Sequence, residues 1–105
     1  MKNIIIFQIK ADAPERLYKL FEPYKRVTSR FGKIDFSDYK SVFCGDIPKE
    51  STLNDIYEIF NLYHPAGYKG HSLSVSDLIM TDGKIYYVDS YGFREIVFKG
   101  EDKEV

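Results

Sequence analysis

Cysteine and tryptophan are the scarcest residues of this 105-residue chain, which contains one cysteine and no tryptophan. A single thiol, Cys44, cannot form a disulfide within the chain, which fits a reducing cytoplasmic environment. With only two histidines beside it, the chain offers few of the ligands that zinc sites use. The sequence therefore predicts no metal ion and no cofactor, and it predicts that Cys44 is a small buried side chain of a strand.

Long apolar segments are also absent. No stretch approaches the ~18 consecutive apolar residues of a membrane-spanning helix. The N-terminal run Ile4-Ile5-Ile6 is too short for a secretory signal and lacks a small-residue cleavage site, so it predicts a buried strand. With 44% hydrophobic residues, the chain is expected to fold as one domain over residues 1–105, in the cytoplasm and away from membranes.

The net charge of -1 conceals an uneven distribution. Residues 10–33 contain seven basic and three acidic residues, whereas residues 34–105 contain seven basic and thirteen acidic ones. A fold that keeps these parts separate is bipolar and can steer a charged partner. Residues 19–33 could contact RNA phosphates or an acidic protein groove, and an ordinary solvated helix face is the alternative. The basic binding candidates are Lys25, Arg26, Arg30 and Lys33.

The first third of the chain predicts one strand and two short helices. Asn3 to Lys10 is rich in β-branched residues and predicts a strand with two apolar faces. Pro14 is suited to the first turn of a helix, which we expect to end near Phe21. Val27 to Phe31 predicts a second helix, closed by Gly32.

The middle of the chain predicts a strand followed by an amphipathic helix. Tyr39 to Ile47 alternates so that Tyr39, Ser41 and Phe43 share one face, and Lys40, Val42 and Cys44 share the other. Thr52 and Asp55 have the spacing of a capping box. Leu53 to Phe60 follows with helical spacing of its apolar residues, and the pair His64-Pro65 ends the helix.

The last third predicts three strands and a frayed tail. Val75 to Met80 and Ile85 to Asp89 are joined by Asp82-Gly83, a typical two-residue hairpin turn. Arg94 to Phe98 predicts a third strand, which could be an exposed sheet edge that pairs with a partner, and residues 100–104 form a tail with a net negative charge. The predicted fold class is α+β, with a mostly antiparallel sheet of about five strands and two or three helices on one face.

Two segments of this last third resemble a known family. Gly70 to Asp77 reads Gly-His-Ser-Leu-Ser-Val-Ser-Asp, and Tyr86 to Phe93 reads Tyr-Tyr-Val-Asp-Ser-Tyr-Gly-Phe. Both resemble YodL-like domains of Gram-positive bacteria and their mobile elements, and Leu53 to Phe60 is similar as well. The resemblance implies a mobile-element protein that accompanies antirestriction and other anti-defence genes.

Two polar sets are candidates for chemistry. His71 could act as a general base if Asp77 oriented it, but six residues of extended strand separate them by about 20 Å. Asp46, Asp77 and Asp89 could converge on a divalent cation if their strands are neighbours. Hydrogen bonding within loops and turns is the stronger explanation of both sets, so we predict no catalytic residue and retain His71, Asp77 and Asp89 as weak candidates.

Aromatic residues of the last third supply the other binding candidates. Tyr86 and Tyr87 are adjacent in a predicted strand, so they must face opposite sides of the sheet. Exposed tyrosines favour protein interfaces or base stacking, whereas packing in the core is the alternative. The aromatic binding candidates are Tyr86, Tyr87, Tyr91 and Phe93.

We consider three functions. The first, which the resemblance implies and the split charge and tyrosine supply support, is a small non-enzymatic protein that binds and inhibits host defence machinery, hypothesised to be an anti-CRISPR inhibitor of Cas9 or of its assembly with guide RNA. The second is a nuclease that cleaves guide RNA through His71 with Asp77 or Asp89. The third, implied by the resemblance, is a binder of actin-like cell-shape proteins.

Overall fold

The computed structural model describes residues 1–63 and 65–97. Within that part of the chain, all strand pairings are antiparallel and join the strands in the order β2-β1-β3-β4-β5. The elements are β1 (Lys2–Ile9), α1 (Tyr24–Phe31), β2 (Tyr39–Ile47), α2 (Leu53–Leu62), β3 (Leu78–Thr81), β4 (Lys84–Val88) and β5 (Phe93–Ile96). The α+β class and the five-stranded antiparallel sheet are confirmed.

The two helices lie on opposite faces of this sheet. Alternation along β1 directs Ile6 to one face and Ile9 to the other. Ile6 belongs to a buried cluster with Ile56 and Phe60 of α2, whereas Ile9 belongs to a second cluster with Val27 of α1. The prediction that the helices lie on one face of the sheet is therefore not confirmed. β1 has apolar residues on both faces, and one helix packs against each face. We refer to the two sides as the α2 face and the α1 face.

A β-bulge interrupts the predicted alternation of β2. Ile6 pairs with Phe43 and Phe7 pairs with Ser41, which leaves Val42 as the extra residue. Val42 and Phe43 consequently both contribute to the cluster on the α2 face. The predicted grouping of Tyr39, Ser41 and Phe43 on one face is therefore wrong beyond Ser41.

Cys44 is exposed on β2, which corrects the prediction of a buried side chain. It lies opposite Ile5, on the α1 face at an edge strand of the sheet. Cys44 belongs to neither of the two buried clusters.

The helix predicted from Pro14 to Phe21 does not form. Only a 3-10 turn, Arg16–Tyr18, is present there, and the backbone of Phe21 is left-handed with a φ of 64°. Leu17 is 85% exposed and Phe21 is 53% exposed, so the apolar spacing that suggested a helix does not correspond to a buried face. The second helix is confirmed, and Gly32 ends it with a φ of 85°.

The local signals later in the chain are mostly confirmed. Thr52 and Asp55 form both hydrogen bonds of a capping box, and Asp82-Gly83 joins β3 to β4 with positive φ at both residues. The strand predicted from Val75 begins instead at Leu78, because residues 70–77 form a loop.

Parts of three predictions lie outside the described residues. They are Phe98 of the last predicted strand, His64 of the pair that ends α2, and the acidic tail at 100–104. None of the helices in the described ranges is long and apolar enough to cross a membrane.

Candidate functional site

A buried amide near the end of β1 organises the loop that carries the family-like sequence. Gln8 follows Ile4 and Ile6 on the α2 face, and only 2% of its surface is exposed. Its Nε2 lies 2.9 Å from the carbonyl oxygen of His71 and 3.0 Å from Oδ2 of Asp77. Its Oε1 accepts a hydrogen bond from the backbone N–H of His71 at 3.2 Å. One side chain thus holds both ends of the loop.

Gly70 permits this close approach of the loop to β1. A Cβ atom at this position would lie 2.0 Å from Oε1 of Gln8 and 3.2 Å from Cβ of Val42. The glycine between Lys69 and His71 therefore leaves room for the Gln8 amide. Lys69 also donates its backbone N–H to the carbonyl of Val42 at 3.0 Å, which fixes the loop against β2.

Asp77 is a fully buried carboxyl group. Its Oδ2 accepts the backbone N–H of Ser74 at 2.8 Å in addition to the Gln8 amide. Its Oδ1 is buried and has no hydrogen-bond partner among the described residues. Burial raises the pKa of Asp77 to about 8, because the charged form loses its hydration. The carboxyl is therefore mostly protonated at neutral pH.

His71 does not form a direct catalytic pair with Asp77. Its Nδ1 lies 2.7 Å from the carbonyl oxygen of Ser72, which can only accept, so Nδ1 carries the proton and donates it. The ring packs edge to face against Phe21 at 5.5 Å between centroids. The loop bends so that Gln8 hydrogen-bonds both the backbone of His71 and the carboxyl of Asp77. This arrangement stabilises the shape of the loop.

The three carboxylates considered for a cation do not converge. Asp46 lies opposite Asn3 near the start of β1, whereas Asp77 contacts Gln8 near its end. In the described ranges, no group of three or more His, Cys, Asp or Glu side chains could hold a metal ion.

Asp89 has a structural partner that the sequence did not reveal. Its Oδ1 accepts the backbone N–H of Tyr24, the first residue of α1, at 3.0 Å. Pro23 precedes α1 and provides no side-chain cap, so Asp89 supplies the missing acceptor from the turn between β4 and β5. The sequence did contain one signal for this contact: α1 begins directly after a proline, which cannot cap the helix with its own side chain.

Two further hydrogen bonds hold the chain just before α1. Ser76 Oγ accepts the backbone N–H of Phe21 at 3.0 Å, and the hydroxyl of Tyr87 donates to the carbonyl of Glu22 at 2.6 Å. Ser76 is itself fully buried with a φ of 87°. Ser76, Tyr87 and Asp89 all belong to the family-like segments, so these segments position the N-terminal basic region.

The surface positioned in this way combines basic and aromatic side chains. Lys25, Arg26 and Arg30 are exposed on α1, and the guanidinium of Arg30 lies 4.0 Å from the ring centroid of Tyr18. An open groove runs between the 3-10 turn and the helix. We define the α1 surface as Tyr18, Lys25, Arg26 and Arg30, which all line this groove. Lys33 is also exposed, immediately beyond the helix.

The aromatic binding candidates are not one surface. Tyr87 has no exposed area, and its ring packs against Tyr24 at 5.5 Å, so it belongs to the core and cannot contact a partner. Tyr86 and Phe93 are half-buried on the α2 face, whereas Tyr91 is 97% exposed in the β4–β5 turn. Only Tyr91 of this set is a fully available contact.

Comparison with protein families identifies the chain. The family model described as "YodL-like domain" matches residues 3–98, which is nearly the whole chain, so the chain belongs to this family. The match extends the resemblance from the second half of the chain to the strand β1 and the helix α1. Neither the comparison with curated proteins nor the comparison with solved structures found a match.

Proposed function

We propose that this chain is a non-enzymatic binding protein whose α1 surface contacts an acidic partner. The observation that carries the proposal is the exposed Tyr18 ring against Arg30, at an open groove that Lys25 and Arg26 also line. Aromatic and arginine side chains are enriched at protein interfaces. Partly buried hydrogen bonds from Ser76, Tyr87 and Asp89 hold the backbone at the start of α1, which positions this helix for a partner.

The polar loop supports a binding function over catalysis. A general base needs a free ring nitrogen within reach of the proton it removes and a group that orients it. His71 places Nδ1 against a backbone carbonyl, so only Nε2 could accept a proton, but the buried Asp77 carboxyl contacts Gln8 and Ser74 instead of the imidazole. The carboxylate considered as the orienting group is therefore engaged elsewhere, and no cation site lies among the described residues.

The partner we propose is the host defence machinery, and specifically the Cas9 nuclease or its complex with guide RNA in the cytoplasm. This choice rests on the mobile-element setting of YodL-like domains. The basic part of the α1 surface would contact the phosphates of the guide RNA or an acidic patch of the protein. The aromatic part would add contact area. Inhibition would follow from occupation of the surface that Cas9 needs for assembly.

A Cas9 cleavage assay tests this proposal, with the protein added before or after the guide RNA and the RNA analysed on a denaturing gel. We expect inhibition with intact RNA, stronger when the protein is added first. Arg26→Glu with Arg30→Glu should abolish inhibition. The control pair Lys40→Glu with Lys69→Glu makes the same change in net charge at exposed positions away from α1 and should retain it.

Each other result contradicts a part of the proposal. Shortened guide RNA, with the cleavage lost in His71→Ala, would show a nuclease. Absence of inhibition in either order would exclude Cas9, and recovery of an actin-like protein from host lysate, lost in the α1 double variant, would identify the cell-shape alternative.

A further inference from the structure

The two helices carry opposite charges on opposite faces of the sheet. α1 contains Lys25, Arg26 and Arg30 and no acidic residue, whereas α2 contains Asp55 and Glu58 and no basic residue. All five side chains are exposed. Because the helices pack against different faces, the exposed side of α1 is basic and the exposed side of α2, on the opposite face, is acidic.

Exposed apolar groups accompany the charges on the acidic side as well. Leu62 and Tyr63, at the end of α2, are 66% and 74% exposed. Glu58 and Leu62 are one helical turn apart, so they are neighbours on the outer side of α2. We define the α2 surface as Asn54, Asp55, Glu58, Leu62 and Tyr63. Like the α1 surface, it has large exposed aromatic or apolar side chains beside charged ones. Its charges are negative, whereas those of the α1 surface are positive.

We propose that the α1 surface of one copy binds the α2 surface of a second copy. Aromatic and apolar residues of the two surfaces would bury each other while Arg26 and Arg30 meet Asp55 and Glu58. The overall net charge of -1 imposes little repulsion between copies. Each contact leaves one α1 surface and one α2 surface unused on opposite faces of the sheets, so association is head-to-tail and does not close at two copies.

Sedimentation or light scattering across a concentration series tests the contact. In low salt we expect the average mass to rise about 1.5-fold between about 10 μM and about 1 mM protein, as for a weak contact. About 0.5 M NaCl should reduce the rise, because exposed charges are screened. An average mass that stays at the monomer value throughout the low-salt series overturns the proposal.

Charge reversal identifies the surfaces. Arg26→Glu with Arg30→Glu, or Asn54→Lys with Glu58→Lys, should each give a monomer. The second pair leaves the Thr52–Asp55 capping box intact. A chain with all four substitutions should associate again, and so should an equal mixture of the two double variants. If the four-substitution chain stays monomeric although its circular dichroism shows native folding, charge pairing between these surfaces is excluded.

The same variants separate this inference from the proposed function. Asn54→Lys with Glu58→Lys should abolish self-association but leave Cas9 inhibition intact, because the α1 surface is unchanged. Self-association without any inhibition would retain the contact between copies and reject the Cas9 partner. If the control pair Lys40→Glu with Lys69→Glu also abolishes association, the effect is one of net charge and the surface assignment is wrong.

Discussion

At the scale of single residues, Asp77 is a carboxyl group in an environment far from that of the free side chain. It is fully buried and, among the described residues, receives two hydrogen bonds on Oδ2 and none on Oδ1. Its pKa rises to about 8, from about 4 in the unfolded chain. The folded state therefore holds a proton that the unfolded state releases, so the stability from this proton is complete below pH 4 and is lost as the pH rises toward 8.

Replacing Asp77 by Asn should remove this dependence. An amide retains an oxygen for Gln8 and Ser74 and cannot ionise, so we expect the variant to gain stability relative to the original chain as pH rises from about 4 to about 8. Urea unfolding across that range measures the difference. Asp35 is the matched control, since hydrogen bonds from Ser37 lower its pKa. Asp35→Asn should not reproduce the gain, and a difference for Asp77→Asn that is constant with pH would contradict the shift.

Gly70 is the residue on which the approach of the loop to β1 depends. Because its Cβ would collide with the Gln8 amide, Gly70→Ala should lower the free energy of unfolding by about 1–3 kcal/mol. The effect should be smaller in a Gln8→Ala background, since the clashing atom is then gone. Gly67→Ala is the control: its φ is 87° but nothing lies near its Cβ, so its effect should be the same in both backgrounds. Equal effects of Gly70→Ala in both backgrounds would contradict the assigned contact.

At the scale of elements, α1 depends on a cap supplied from the other end of the chain. Asp89→Ala removes the acceptor for the Tyr24 N–H, and it should lower the free energy of unfolding by about 1 kcal/mol. Asp89→Asn retains an oxygen and should restore most of the loss, and Ser90→Ala alters only an exposed neighbour. Denaturation of the three variants checks this, and a neutral Asp89→Ala would show that α1 begins without this cap.

The sequence predicts those elements whose signals are local. The capping box of α2, the Asp-Gly hairpin and Gly32 depend on neighbours within four residues, and all three are found. The segment from Pro14 to Phe21 fails because its backbone follows distant partners: Phe21 is held by Ser76, 55 residues away. The loop at 70–77 fails for the same reason, since Gln8 on β1 fixes its shape.

The candidate site shows the same division between local and distant information. The basic residues of α1 and Tyr91 are exposed, and their role in binding stays a prediction. The exposure of Leu17 and Phe21 could not be predicted, because their spacing is that of a buried helix face. The structural role of Asp89 requires knowledge that the β4–β5 turn lies beside the start of α1.

At the scale of the whole molecule, the sheet separates two helices that differ in the number of side chains they bury against it. Among the described residues, α1 contributes one buried side chain, Val27, whereas α2 contributes Ile56 and Phe60, both without exposed area. The helices share no cluster, so α1 can open while α2 stays packed. The surface we assign to the partner is therefore on the less firmly held side.

Native-state hydrogen exchange should resolve this order. We expect the amides of α1 to exchange fastest among the regular elements, those of α2 more slowly, and those of β1 and β3 slowest, because β1 and β3 are paired on both sides within the sheet. Low concentrations of urea should accelerate β1 and β3 more steeply than α1, since opening of the sheet exposes more surface than release of one helix. If all four elements exchange at one rate with one urea dependence, the protein opens as a single unit, and the α1 surface is then as rigid as the sheet beneath it.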